Sequence, residues 1–103
     1  MGNKLLPKYV IKKLPPIYSQ ENVEDPICVV KFFDILSSWA WYGIEYDPET
    51  ELFFGFVHGY EDELGYFSFP ELRDLGIRIE RDLWFKPTHL SEVKALYENE
   101  WEA

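Results

Sequence analysis

A histidine followed closely by three acids is the pattern in this sequence that comes nearest to a metal-binding or catalytic cluster. His58 ends an apolar run, and Glu61, Asp62 and Glu63 follow it. Imidazole nitrogens and carboxylate oxygens both bind divalent metals. The segment lacks a second nearby His or Cys, and it lacks the alternating acids and glycine of a calcium loop. A small metal-dependent enzyme or ligand binder centred on these residues is therefore one hypothesis, and a solvated turn is the simpler one.

Other catalytic patterns are missing from the sequence. It contains no nucleophile elbow, phosphate-binding glycine loop or dinucleotide fingerprint. His89 falls at the start of a predicted helix and needs no special role. Cys28, the only cysteine, lies in an apolar run that favours a buried, unreactive thiol. We therefore assign no catalytic residue, no metal and no cofactor, and we favour a protein that is not an enzyme.

Aromatic residues, at 18% of the chain, exceed what one core face of a small domain needs. Strict alternation along the run from Trp39 to Tyr46 places Trp39 and Trp41 on one face and Tyr42, Ile44 and Tyr46 on the other. Core packing is the first interpretation for each residue of this run. The surplus requires either helices on both faces of a sheet or an exposed aromatic surface. Exposed aromatic anchors with a polar rim are typical of protein interfaces.

Net charge gives the second indication of a binding role. The chain carries −9, divided between +4 in residues 1–20 and −13 in the remainder. An acidic body repels nucleic acid phosphates and favours encounter with a basic protein surface, although solubility is the simpler explanation. The candidate binding residues are Trp39, Trp41, Tyr60, Glu61, Asp62 and Glu63.

The expected location is the cytoplasm. No run approaches the ~20 apolar residues that span a bilayer, so we expect no membrane contact. A lone cysteine cannot form an intramolecular disulfide, and this agrees with a reducing compartment.

The apolar periods predict an α+β fold in one acidic domain over residues 1–103. The fold consists of a mostly antiparallel sheet of four to five strands, with an N-terminal helix, a short helix between the last two strands and a C-terminal helix. The element order suggests that the helices pack on one face. The predicted elements are a helix over 5–14, strands over 27–33, 39–46, 52–58 and 64–67, a short helix over 71–75, a strand over 77–85 and a helix from Thr88 to Trp101.

Local signals support several of these boundaries. Asp47-Pro48-Glu49-Thr50 has turn chemistry, so residues 39–58 should form a hairpin. Ser68 and Glu71 have the spacing of a capping box, and Gly76 is placed to end the short helix. Thr88 is the expected N-cap of the last helix.

Six short motifs carry a resemblance to a known family. They are Leu14-Pro15-Pro16-Ile17-Tyr18-Ser19-Gln20-Glu21, Val30-Lys31-Phe32-Phe33, Trp39-Ala40-Trp41-Tyr42, Phe54-Gly55-Phe56-Val57, Glu63-Leu64-Gly65-Tyr66-Phe67-Ser68 and Ile79-Glu80-Arg81-Asp82-Leu83. In these the chain resembles a family of short domains of unknown function, found mainly in bacterial accessory and mobile-element gene regions. The resemblance supplies no activity, cofactor or catalytic residue. It implies a role in plasmid or phage biology, such as an anti-defence factor that occupies the basic groove of a DNA-binding enzyme.

These observations leave three hypotheses of function. The leading one is a small acidic protein-binding module that acts on a basic protein partner without direct nucleic acid contact. The second is the metal-dependent enzyme or ligand binder centred on His58 and residues 61–63. The third is a structural subunit of a larger assembly. The oligomeric state does not follow from the sequence.

Overall fold

Most of the predicted strands pair in one antiparallel sheet. The computed structural model describes residues 5–98. Its helices are α1 (Lys8–Ile11), α2 (Phe69–Asp74) and α3 (Leu90–Glu98). Its strands are β1 (Ile27–Cys28), β2 (Val30–Asp34), β3 (Ala40–Asp47), β4 (Leu52–His58), β5 (Asp62–Ser68), β6 (Ile79–Arg81) and β7 (Thr88–His89).

The large sheet has the strand order β5-β4-β3-β2-β6, and every neighbouring pair is antiparallel. β3 and β4 form the predicted hairpin, in which Trp41 lies opposite Val57. β1 and β7 form a separate two-stranded ladder. The predicted α+β class, with a mostly antiparallel sheet and helices near the N-terminus and at the C-terminal end of the described chain, is confirmed.

Helices cover both faces of the large sheet, rather than the single face that the element order suggests. On one face, Val10 of α1 and Leu72 of α2 are buried with Phe53. On the other face, Val93 of α3 is buried with Tyr42. Because a buried aromatic side chain removes ~150–250 Å² from water, two such cores account for most of the aromatic surplus.

A β-bulge in β3 changes the face of the sheet, and therefore the core, to which the side chains after it point. The pairing with β4 shifts between Gly43 and Glu45. Strict alternation predicts Tyr46 on the face of Tyr42, and this prediction is wrong. The extra residue returns Tyr46 to the core of α1 and α2, where its ring centroid lies 4.5 Å from that of Phe53.

The predicted strand over 27–33 is divided at Val29. Its first part, β1, pairs with β7, while its second part, β2, joins the large sheet. The Val29 N–H donates to the Gly43 carbonyl at 2.8 Å, so the backbone stays satisfied where the chain changes partner. The predicted continuity of this strand is therefore wrong, and Ile27 at its start is 42% exposed.

The predicted strand over 77–85 is shortened to three residues in β6. A 3₁₀ turn occupies Gly76–Arg78 before it. After it, the Asp82 carboxylate accepts a hydrogen bond from the Trp84 N–H at 2.9 Å and turns the chain. Alternation of apolar residues does not reveal either turn.

The N-caps predicted for two helices are not formed. Ser68 precedes α2, but its side chain makes no capping hydrogen bond. The Thr88 hydroxyl bonds to a nearby carbonyl, and the distant Asp25 caps α3 by accepting from the N–H and hydroxyl of Ser91 at 2.9 and 2.7 Å. The predicted extension of this helix to Trp101 lies outside the described residues.

Two predictions about single residues are confirmed. Cys28 has no exposed surface, and burial raises the pKa of its thiol to about 12. Gly76 follows α2 with φ of +70°, the left-handed conformation that glycine adopts without strain.

Paired glycines in β4 and β5 allow a direct test of the bulge. Gly55 and Gly65 are cross-strand partners. A Cβ at Gly55 would lie 1.8 Å from the Tyr42 carbonyl oxygen, whereas a Cβ at Gly65 would have no atom within 4 Å. We expect Gly55→Ala to lower the free energy of unfolding by at least about 2 kcal/mol and Gly65→Ala to change it by less than about 1 kcal/mol.

Denaturant unfolding of the two variants beside the unaltered protein measures both values. Equal effects of the two substitutions would contradict the close approach of β3 and β4 at the bulge.

Candidate functional site

Two aromatic side chains meet at the end of the sheet where β3 begins and β4 turns into β5. The rings of Trp39 and Tyr60 pack edge to face with centroids 5.2 Å apart. Trp41, 8% exposed, lies beneath Trp39 at 5.8 Å and belongs to the core of α1 and α2. Tyr60 is 95% exposed. We call Trp39 and Tyr60 the aromatic tip. These two residues, predicted separately from the sequence, are in contact, whereas the predicted Trp41 is buried and packs against Trp39 from below.

The β4–β5 turn has a glycine because Trp39 lies directly on it. A Cβ at Gly59 would come within 2.6 Å of the Trp39 ring. The Gly59 N–H donates to the Glu61 carbonyl at 3.3 Å and closes the turn below Tyr60. Any other residue at position 59 would displace Trp39 or open the turn.

A hydrogen-bonded turn between β2 and β3 fixes the backbone of Trp39. The Asp34 carboxylate accepts from the N–H of Leu36 and the hydroxyl of Ser37, both at 2.9 Å. The Ser37 hydroxyl oxygen in turn accepts from the Trp39 N–H at 3.2 Å. Asp34 also receives two hydrogen bonds from the Arg78 guanidinium, at 3.0 and 2.6 Å. These bonds, led by the one from Arg78, hold the pKa of Asp34 below its ordinary range.

The His58 cluster is brought together only in part. His58 lies opposite Asp62, and its Nδ1 is 2.6 Å from the Asp62 carboxylate. The Tyr97 ring stacks on the imidazole at 3.8 Å between centroids. Glu63 lies opposite Val57, so strand alternation sends its side chain to the other face of the sheet. Within residues 5–98, no three His, Cys, Asp or Glu side chains are grouped as metal ligands would be.

The acidic residues of the hairpin region lie at two ends of the sheet. Glu61, Asp62 and Glu63 are exposed beside the aromatic tip. The turn after β3 holds a second acidic group at the opposite end, because consecutive turns of antiparallel strands alternate between ends. In that second group, Asp47 accepts from the backbone of its own turn, and Glu51 lies 3.4 Å from the Arg73 guanidinium. Of these two acidic groups, the one at residues 61–63 lies beside the aromatic tip.

One group of basic side chains lies away from the aromatic tip. The Lys13 ammonium and the Arg81 guanidinium lie 5.9 and 5.7 Å from the ring centre of Tyr9. Arg81 also donates to the Tyr9 hydroxyl at 3.2 Å. This group lies beside α1 and β6, at the sheet edge farthest from β5.

A cleft of about 310 Å³ on the α3 face was not predicted from the sequence. Ile44 and Phe54 of the sheet line it, Leu64 and Tyr66 of β5 form one wall, and the segment over 18–24 forms the other. Glu45, 3% exposed, anchors that segment, since its carboxylate accepts from the N–H groups at positions 18 and 20 at 3.0 and 2.7 Å. An acid inside a continuously apolar strand is the sequence signal that could have indicated this anchor.

The fold and surface define an α+β domain with a five-stranded antiparallel sheet, an exposed aromatic tip and an adjoining cleft. The chain belongs to the DUF2958 family, described as a protein of unknown function, whose model matches residues 5–98. The predicted resemblance to a family of unknown function is thus confirmed. No curated protein and no solved structure matches the chain. No helix in the described range is long and apolar enough to cross a membrane.

The ion pair of Asp34 and Arg78 predicts a specific pH dependence of stability. A carboxylate whose pKa is lowered by folding stabilises the protein above its unfolded pKa of about 3.9, and this contribution disappears as the pH falls. Asp34→Asn should therefore be less stable than the unaltered protein near neutral pH, and the difference should shrink below about pH 4.

Urea unfolding of both proteins across this pH range measures the difference. A gap of constant size at every pH would show that the substitution acts through packing and not through the charge of Asp34.

Proposed function

We propose that this protein is a non-enzymatic binding module that attaches to a basic protein surface through its aromatic tip and the acids beside it. The observation that carries the proposal is the position of Tyr60, which is almost fully exposed while its ring packs on Trp39. Glu61, Asp62 and Glu63 follow it directly in the chain and are exposed.

The arrangement of the aromatic tip supports the proposal because it lowers the cost of binding. Trp39 rests on Gly59 and Trp41, and its backbone is fixed by the turn at Asp34. An anchor held in place before binding loses less conformational entropy when a partner covers it. Tyr and Trp are also the residues most often found to dominate interface energies.

Net charge supports a basic partner. The protein carries −9 overall, and its basic groups at Lys13 and Arg81 lie away from the tip. A negative surface speeds encounter with a positive one and repels nucleic acid phosphates. In the accessory-gene setting that the family resemblance implies, we propose that the partner surface is the DNA-binding groove of a defence enzyme, and that the protein acts in the cytoplasm.

Selection from a displayed library of random peptides on the immobilised protein tests the proposal. The retained peptides should be rich in Lys and Arg, and raising the salt from about 0.1 M to about 1 M should release them. Tyr60→Ala should weaken binding of the selected peptides by at least about tenfold, as loss of an interface anchor does.

Trp84→Ala is the matched control for this substitution. Trp84 is 91% exposed and follows β6, at the opposite edge of the sheet from β5. Its loss should leave binding unchanged. Selection of peptides without basic residues, or equal losses in the two variants, would refute the proposal.

A further inference from the structure

β5 is a long edge strand with an open outer side. It runs over seven residues, Asp62–Ser68, and pairs only with β4 among the described strands. An edge strand presents a row of unpaired N–H and C=O groups to which another extended chain can bind. Neither Pro nor Lys interrupts this strand, although natural edge strands commonly carry one of them.

Hydrogen bonds at the two ends of β5 determine which of its backbone groups point outwards. The Phe69 N–H donates to the Glu51 carbonyl at 3.0 Å, and the Glu61 carbonyl accepts from the Gly59 N–H at 3.3 Å. In an antiparallel pair the bonded residues alternate, and no register shift interrupts the pairing of β4 with β5. Odd-numbered residues of β5 therefore bond to β4, while the even-numbered Leu64 and Tyr66 direct their N–H and C=O groups away from the sheet.

The side chains of these two residues also form a wall of the cleft. Leu64 is 44% and Tyr66 51% exposed, and the Tyr66 ring packs on Phe54 at 5.1 Å between centroids. Glu21 and Glu24 line the opposite side of the cleft. An aliphatic stem that ends in a positive charge matches this combination of apolar floor and acidic rim.

The other face of the edge has room for a neighbouring strand. A Cβ placed on Gly65 meets no atom within 4 Å. Side chains of an added strand that point to this face would therefore not collide with β5 at its centre.

We propose that β5 binds an extended basic segment of the partner as a sixth, antiparallel strand, with a Lys or Arg side chain in the cleft. The inference rests on the proposed function, because it specifies how the basic partner is recognised. In a bonded antiparallel pair, the residue opposite Leu64 or Tyr66 turns its side chain to the same face, and so into the cleft. The exposed acids Asp62 and Glu63 continue the negative charge along the strand.

A synthetic peptide of roughly eight residues, alternating lysine with valine, is the probe for this pairing. In the protein alone, the Leu64 and Tyr66 amides should exchange with solvent faster than those of Gly65 and Phe67, which bond to β4. The peptide should slow exchange at Leu64 and Tyr66 by at least about tenfold and leave the other two amides nearly unchanged.

Two methylated peptides identify the edge that binds. If the lysine side chains occupy the cleft, the backbone N–H groups of the same lysines face β5. Methylation of these backbone nitrogens should therefore abolish the protection of Leu64 and Tyr66. Methylation of the valine amide nitrogens blocks only the outer edge and should preserve protection. Any other pattern overturns the proposed strand pairing.

Two substitutions at one position test the edge from the side of the protein. Leu64→Pro removes an outward N–H and none that bonds to β4, so the bond pattern with β4 should remain and peptide binding should be lost. Leu64→Lys keeps the backbone intact and places a positive charge in the cleft, and it should weaken binding at least about tenfold by repulsion. Peptide binding that survives in a folded Leu64→Lys protein would refute the proposal.

The same measurements separate this inference from the proposed function. If Tyr60→Ala weakens selected basic ligands while Leu64→Lys does not, the aromatic tip binds the partner and the edge-strand pairing is wrong. If Leu64→Lys abolishes binding while Tyr60→Ala has no effect, the aromatic-tip proposal is wrong and the pairing stands. Protection of Leu64 and Tyr66 that rises with protein concentration alone would assign the edge to a second copy of this chain and overturn the inference.

Discussion

The bulge between Gly43 and Glu45 is the constraint on which both faces of the sheet depend. Its strands approach closely because Gly55 has no side chain, where a Cβ would lie 1.8 Å from the Tyr42 carbonyl oxygen. The extra residue sends Tyr46 into the core of α1 and α2 and leaves the Glu45 carboxylate beside the cleft. Strict alternation would instead bury that carboxylate among aromatic rings, where a charge without donors is costly.

One wall of the cleft is held in place by hydrogen bonds to the buried Glu45 carboxylate. Glu45 accepts from the N–H groups of Tyr18 and Gln20, and the Tyr46 N–H donates to the Pro15 carbonyl at 2.9 Å. These bonds fasten the segment over 15–20 along β3. Tyr18 adopts φ of 73°, an uncommon conformation for a residue with a side chain, which is tolerated where such bonds determine the backbone. The Glu45 carboxylate therefore connects the β-bulge to the segment that forms one wall of the cleft.

The sequence predicted the elements whose signals are local. The hairpin followed from two apolar, aromatic-rich runs and from the turn at Asp47 between them, all of which lie within one short segment. The division at Val29 and the cap supplied by Asp25 could not be predicted, because both depend on partners far away in the chain. At the site, Trp39 and Tyr60 were separate candidates, and their contact depends on the register of the hairpin, in which Ala40 lies opposite His58 on the far side of the bulge from the turn.

The two edges of the sheet differ in a way that favours β5 as the binding edge. β6 is only three residues long and ends in the turn at Asp82, and short edges resist further pairing. β5 is seven residues long and carries acids at Asp62 and Glu63, followed by apolar or small residues. Negative charge on an edge repels a second copy of the same edge, since like charges opposite each other destabilise a strand pair. It attracts a basic strand by the same interaction, so the acids that limit self-association also select the partner.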